Sequence, residues 1–409
     1  MQSRNVLMLV IDSLRADAVF GDHISTPNFD RFMDRGAAFE QCICTCTTTT
    51  PSFSSMLTGC YPPKHGVRGL QGYRLSGSLT TVAEAFSSAG YHTYAEVTGP
   101  LLPETGVLRG FEESHTRQAY KVPFFGWRDE VIDRMHSHVD PWFMLLHIWE
   151  VHRPYRAPPD FVKRRDKAGY EAAVAATDEW LAPVYEAAGD DTLFVITGDH
   201  GEDYPGTALG FQAARVARKA RRVFKLNKWF KALDNRFAAL EIGHGFALYE
   251  HLVRVPLILS GPGVPTTRVR DQVRHVDLMP TLLDLAGIDK QSGIDGRSLG
   301  PLLEGGDLPE EPAYMEAVGV KLEGSRIVGA RTPDWKYLKP GNNKPILYSL
   351  DGGSRPSEKR NVIGRYPEVA RRLEGFIEQI HTTETVADSG FTPEEEAIVE
   401  QNLRDLGYL

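Results

Sequence analysis

The chain alternates short runs of apolar residues with amphipathic stretches. VLMLVI (6–11), FMLLHI (143–148), TLFVIT (192–197) and VPLILS (255–260) are continuous apolar runs of strand length, which predicts buried parallel strands. Between them, SLTTVAEAFSSAG (78–90) and DLMPTLLDLAG (277–287) carry helical spacing. Strand and helix alternating in this way predict an α/β fold, a doubly wound and mainly parallel sheet with helices on both faces. Sites in such sheets form beyond the carboxyl ends of the strands. Three of the four runs are followed by polar candidates there: Asp12, then Glu150 and His152, then Asp199 and His200.

The texture changes after residue 304. GGDLPEEP (305–312) reads as a linker, followed by four short strand-like pieces, an amphipathic helix near 366–381 and a last helix in FTPEEEAIVEQNLRDLGYL. We expect a catalytic domain over 1–304 and a small α+β subdomain over 305–409, with a small antiparallel sheet and terminal helices. An insertion at 205–243 carries a basic amphipathic segment. Within it, residues 213–241 hold nine Lys/Arg against two acidic residues, +7 in a chain of net charge −8. This segment reads either as a lid with a solvated basic face or as a docking helix for an anionic membrane surface or polyanionic substrate. The overall negative charge argues against a nucleic-acid partner.

The apolar run at 6–11 is too short for a secretion signal or a membrane span. The reading is a soluble, cytoplasmic protein. The four cysteines (Cys42, Cys44, Cys46, Cys60) match neither a zinc spacing nor a disulfide scaffold, and read as reduced core residues near a strand end.

The ordered blocks NVLMLVIDSLRAD, STPNFDRFMDRGAAFEQC, TPSFSSMLTGCYPPKHGV, LLHIWEVHRPY, TGDHGE, RVPLILSGPG and HVDLMPTLLDLAG resemble the sulfatase branch of the alkaline phosphatase superfamily. The later LYSLDGG…EKRNV is similar to that branch's C-terminal subdomain. The resemblance implies an ester hydrolase with one divalent metal ion. Its ligands would be Asp12, Thr49, Asp199 and His200. Carboxylates with an imidazole suit Mn²⁺ or Zn²⁺ better than Ca²⁺ or Mg²⁺.

The branch's nucleophile is a formylglycine made from Cys or Ser in Cys/Ser-x-Pro-x-Arg. Aligning Pro51-Ser52 and Leu57-Thr58-Gly59 places Thr49 at that position and Phe53 at the arginine. Threonine cannot become the aldehyde, but a metal-activated hydroxyl is a usable nucleophile. Other branches of the superfamily use a metal-bound Thr: the nucleotide pyrophosphatase/phosphodiesterases, phosphoethanolamine transferases and lipoteichoic acid synthases. The neighbouring Thr47, Thr48 and Thr50 read as strand-end and helix-cap hydroxyls.

By the same resemblance His152 touches the transferred group and His244 lies near the leaving group. Glu150, His152 and His244 are the residues that could imitate a second metal site, though their spacing differs from that of two-metal relatives. Asp277 and His275 read as structural. The branch's Lys-x-His element is missing from GYHTYAEVTGPLL (90–102), leaving a sulfate clamp incomplete. The expected function is therefore hydrolysis or transfer of phosphoesters, a phosphodiester or phosphonate monoester, through Thr49. The alternatives are a sulfatase and a non-catalytic binding protein that uses the basic helix.

Overall fold

The structure is a computed structural model. It describes residues 4–118, 122, 124–158, 169–203, 244–319, 326–341, 343–350, 358–385 and 390–409. The basic segment 213–241 lies outside the described residues.

Eight strands form one sheet in the order β4-β3-β5-β1-β6-β7-β2-β8. These are β1 (Val6–Ile11), β2 (Gly36–Ile43), β3 (His92–Thr98), β4 (Glu113–Arg117), β5 (Trp142–Ile148), β6 (Leu193–Gly198), β7 (Arg254–Ser260) and β8 (Thr267–Arg274). The expected doubly wound, mainly parallel sheet is present. β7 is the exception to the sequence reading. It runs antiparallel to both β6 and β2. An apolar run buried on both faces reads the same in either direction, so pattern alone could not orient it.

Each face of the sheet is covered. One face packs Val6, Met8, Val10, Phe143, Leu145, Leu193 and Val195 against helices Thr49–Thr58, Val82–Ser88 and Leu278–Ala286. The other packs Leu7, Leu9, Ile11, Met144, Leu146 and Ile196 against helices Pro27–Arg35, Phe124–Met135 and Tyr170–Ala188.

A second sheet holds β9 (Ala313–Ala317), β10 (Ile327–Arg331), β11 (Trp335–Pro340) and β12 (Ile346–Ser349), all antiparallel in the order β12-β11-β10-β9. Helix Pro367–His381 packs Ala370, Leu373 and Ile377 on it. Helix Pro393–Asp405 follows, opened by a capping box between Thr392 and Glu395. All four cysteines are free and buried. Burial pushes their thiols up, Cys60 to about 12, which leaves them inert packing residues.

Candidate active site

Strand register and parity assemble the centre of the site. β1 lies between β5 and β6, with Ile11 opposite both Ile148 and Gly198. The residues immediately beyond these partners on β1 and β6 are Asp12 and Asp199. Side chains alternate along a strand, so Asp12 continues the Val6–Met8–Val10 face and Asp199 the Leu193–Val195 face. His147 continues Phe143 and Leu145 on the same face. All three are fully buried, and their ligand atoms lie within 4.8 Å of one another.

The turn after β1 locks this arrangement. Ser13 adopts φ 64, the left-handed region that costs a non-glycine residue energy. Its N–H donates to Asp199 Oδ1 (3.0 Å) and its hydroxyl to Asp12 Oδ1 (2.9 Å). The Tyr170 hydroxyl donates to the Ser13 carbonyl at 2.8 Å, holding the turn from behind.

Thr49 is the first residue of helix 49–58, whose N-cap is Thr48. Its Oγ1 lies 3.3 Å from Asp12 Oδ2. The helix N-terminus thus faces the carboxylates with its free N–H groups and positive dipole end. The other hydroxyls of the run do something different from the capping expected of them. Thr48 makes no side-chain cap bond. Thr50 donates to Pro100 O, while Thr47 donates to Ala247 O and accepts from Gly245 N. Ser52 donates to the Asp199 carbonyl at 2.6 Å and meets His275 Nδ1 at 3.1 Å. The crowd of hydroxyls therefore ties the helix start to four surrounding segments, at Pro100, Asp199, Gly245 with Ala247, and His275. This is also the structural role expected of His275. Asp277 likewise serves structure, receiving Arg274 and the Arg297 N–H.

His147 and His200 share one design. His147 Nδ1 lies 3.0 Å from the Thr98 carbonyl, and His200 Nδ1 lies 2.9 Å from the Gly201 carbonyl. A carbonyl only accepts, so each Nδ1 carries the proton and each Nε2 a lone pair. Those Nε2 atoms and Asp199 Oδ2 have no hydrogen-bond partner although buried. His147 Nε2 lies 3.7 Å from Asp12 Oδ2, and His200 Nε2 lies 3.4 Å from Asp199 Oδ2. Burial first, and then Asp199, hold the Asp12 carboxyl well above its usual range. Burial likewise lowers His147 to about 4, keeping it neutral. Two buried imidazole lone pairs and one Asp199 oxygen without partners, converging with the Asp12 carboxyl, are the donor set of a divalent cation, and the residues fit one.

Of the residues read from sequence, Asp12, Thr49, Asp199 and His200 come together at this centre. His152 and His244 line its flank. The ring of His244 is 4.3 Å from His200 and 4.9 Å from His152, and its Nδ1 is 3.4 Å from Glu202 Oε2. His152 stacks on Trp149 at 4.3 Å. Burial, then His244, push its pKa well below the usual imidazole value. Glu150 is taken out of any second metal set, because Arg117 grips both its oxygens at 2.7 and 2.9 Å. Sequence reasoning missed His147, Glu202 and Tyr408. The parity of His147 with Asp12 and Asp199 was a usable signal. Glu202, in TGDHGE, stood inside a quoted block. Tyr408 had no signal in sequence at all.

The profile of the family described as "Sulfatase" matches residues 4–288, well over half of the chain. The chain belongs to the sulfatase family. A second profile, "N-sulphoglucosamine sulphohydrolase, C-terminal", matches 244–383. Among curated relatives, arylsulfatase K of Danio rerio is 28% identical over 240 residues, covering 55% of this chain. The chain matches only 39% of that relative's length. The uncharacterized sulfatase YidJ of Escherichia coli K12 is 22% identical, with 73% of this chain and 71% of YidJ covered. Among solved structures, the phosphonate monoester hydrolase of Agrobacterium radiobacter superposes with a TM-score of 0.71 at 18% identity, covering 93% and 96% of the two chains. A 2-O GAG sulfatase gives a TM-score of 0.69 at 19% identity, covering 97% and 96%. At such identity these structures establish the fold. The family acts on ester bonds with a divalent metal ion, and the Asp12–His147–Asp199 group is the candidate site for it. Among the described residues no helix is long and apolar enough to cross a membrane.

Proposed function

We propose that this sulfatase-family chain hydrolyses phosphoesters, a phosphodiester or phosphonate monoester, with Thr49 as the nucleophile. The observation that carries the reading is the Thr49 hydroxyl itself. It sits at a helix N-terminus 3.3 Å from a buried carboxylate of the candidate metal group. Asp12, His147, Asp199 and His200 would hold the ion, and two imidazoles in the set favour Zn²⁺ or Mn²⁺. When bound, the ion supplies positive charge that favours the alkoxide of Thr49 and neutralises a phosphoryl oxygen.

Thr49 Oγ1 hands its proton to Asp12 Oδ2, the acceptor 3.3 Å away, and attacks phosphorus in line. The bond to the leaving oxygen breaks, and a phosphothreonine forms. N–H groups at the start of helix 49–58 stabilise charge on the equatorial oxygens. Beside the Glu202 carboxylate, His244 is placed to hand a proton to the leaving oxygen. Water then displaces Thr49 from phosphorus, giving His244 back its proton while Thr49 recovers its own from Asp12. The residues converging here are carboxylates and imidazoles, so a monoanionic ester meets less uncompensated charge than a dianion would. In this division of labour residues 1–304 carry the chemistry and residues 305–409 brace them.

Family membership and the arylsulfatase K relatives favour a second reading, sulfate ester hydrolysis. A panel of nitrophenyl esters (phosphodiester, phosphonate monoester, phosphomonoester, sulfate) with Zn²⁺ or Mn²⁺ separates the two. Phosphoester turnover is expected, falling by roughly 1,000-fold or more in Thr49→Ala and partly kept in Thr49→Ser. Full turnover by Thr49→Ala would end the Thr49 mechanism. Sulfate turnover with Thr49 unmodified by mass spectrometry would establish the second reading.

A further inference from the structure

Helix 393–405 does not simply cover surface. It ends in a Schellman turn, with Gly407 at φ +82, its N–H on Arg404 O, and the Tyr408 N–H on Leu403 O at 2.9 Å. Only a residue tolerant of positive φ makes this reversal cheaply, so Gly407 aims the next residue back at the body of the protein. Val399 and Leu403 pack with Leu70 and Leu102, and Glu395 pairs with Arg74 at 2.6 Å. Leu406 packs on Trp149. Tyr408 is thereby delivered to the flank of the site, where its hydroxyl lies 3.0 Å from His152 Nε2.

The proton arrangement follows from the other nitrogen. His152 Nδ1 is 2.7 Å from the Arg153 carbonyl, so Nδ1 carries the hydrogen and donates. Nε2 is then the acceptor, and the Tyr408 hydroxyl donates to it. Trp149 fixes the ring plane, the Arg153 carbonyl fixes one edge, and Tyr408 fixes the other.

We propose that Tyr408 is a positioning residue of the active site. Its hydroxyl donates to the Nε2 lone pair that the Arg153 carbonyl leaves on His152, and so orients that ring beside His244. The catalytic consequence rests on the esterase reading above, whereas the hydrogen bond to His152 does not. The contact joins residues 256 positions apart, so it is a specific long-range placement rather than a local turn bond.

The test uses the full chain with ¹⁵N-labelled histidine, comparing wild type with Tyr408→Phe, which keeps the ring and removes only the hydroxyl. The resonance of His152 is identified by its loss in His152→Gln. The expected result is a shift of the His152 Nε2 resonance on loss of its donor. On whichever ester the wild type turns over, kcat should fall by about 10-fold, the worth of one orienting hydrogen bond, with KM nearly unchanged. An unmoved Nε2 resonance overturns the proposal. A moved resonance with unchanged kcat also overturns it, reducing Tyr408 to a packing residue. If the wild type turns over no ester, the esterase reading falls, and the Nε2 resonance alone decides whether the Tyr408 hydroxyl holds His152.

Discussion

His147 shows how one residue can look like packing and serve chemistry. It sits inside the apolar run of β5, fully buried, with Phe53 edge-on at 4.9 Å. An imidazole with a free lone pair in such a place costs energy unless something meets it. Its Nε2 points toward Asp12 while its Nδ1 is fixed by Thr98. We expect His147→Ala to weaken Zn²⁺ or Mn²⁺ binding by roughly 10-fold or more, the scale lost when the groups around a metal are disturbed. Asp199→Ala should lose stoichiometric metal altogether. Calorimetric titration of both variants checks this. Wild-type affinity in His147→Ala would remove His147 from the ligand set and leave Asp12, Thr49, Asp199 and His200 as read from sequence.

At the scale of elements, the segment after β6 has little room. A Cβ on Gly201 would lie 1.9 Å from the His251 carbonyl oxygen, and the Gly201 N–H is already bonded to Leu252 O. Its neighbours are His200 and Glu202, so a shifted backbone moves both. Gly201→Ala is expected to cost about 2 kcal/mol, the usual price of forcing atoms into a packed interior, and to weaken metal binding with it. Gly375, mid-helix in 367–381 with nothing near its Cβ position, is the control: Ala there should be neutral or stabilise by about 1 kcal/mol. Thermal unfolding of the two variants reads the difference. The strands and helices were legible in sequence because apolar runs and helical spacing are local. Asp12, Asp199 and His200 were legible because strand ends collect sites in such sheets. The direction of β7 and the arrival of Tyr408 at His152 were not, since both depend on where distant segments pack.

Across the whole molecule, buried ion pairs join the two sheets. Arg331 of β10 and Lys336 of β11 both reach Glu250, which lies just before β7. Arg331 bonds both carboxylate oxygens at 3.0 Å, and Lys336 approaches one at 2.6 Å. Burial alone would raise the Glu250 carboxyl, but Lys336 and then Arg331 outweigh it and hold the pKa well below its ordinary 4.5. Glu358 shares Lys336 at 2.8 Å. A carboxyl with a depressed folded pKa contributes stability that is complete above its unfolded value and drains away as pH falls below it. Glu250→Gln should therefore cost roughly 3 kcal/mol at pH 7, because two buried cations lose their common anion. The gap between wild type and variant should stay constant from pH 7 down to about 5 and narrow steadily below 4.5, as the Glu250 carboxyl of the unfolded wild-type chain takes up a proton that the folded chain still refuses. Urea unfolding at a series of pH values measures this. A gap that holds its size down to pH 3 would mean that Glu250 acts through its shape and hydrogen bonds, and that its charge does not hold the two sheets together.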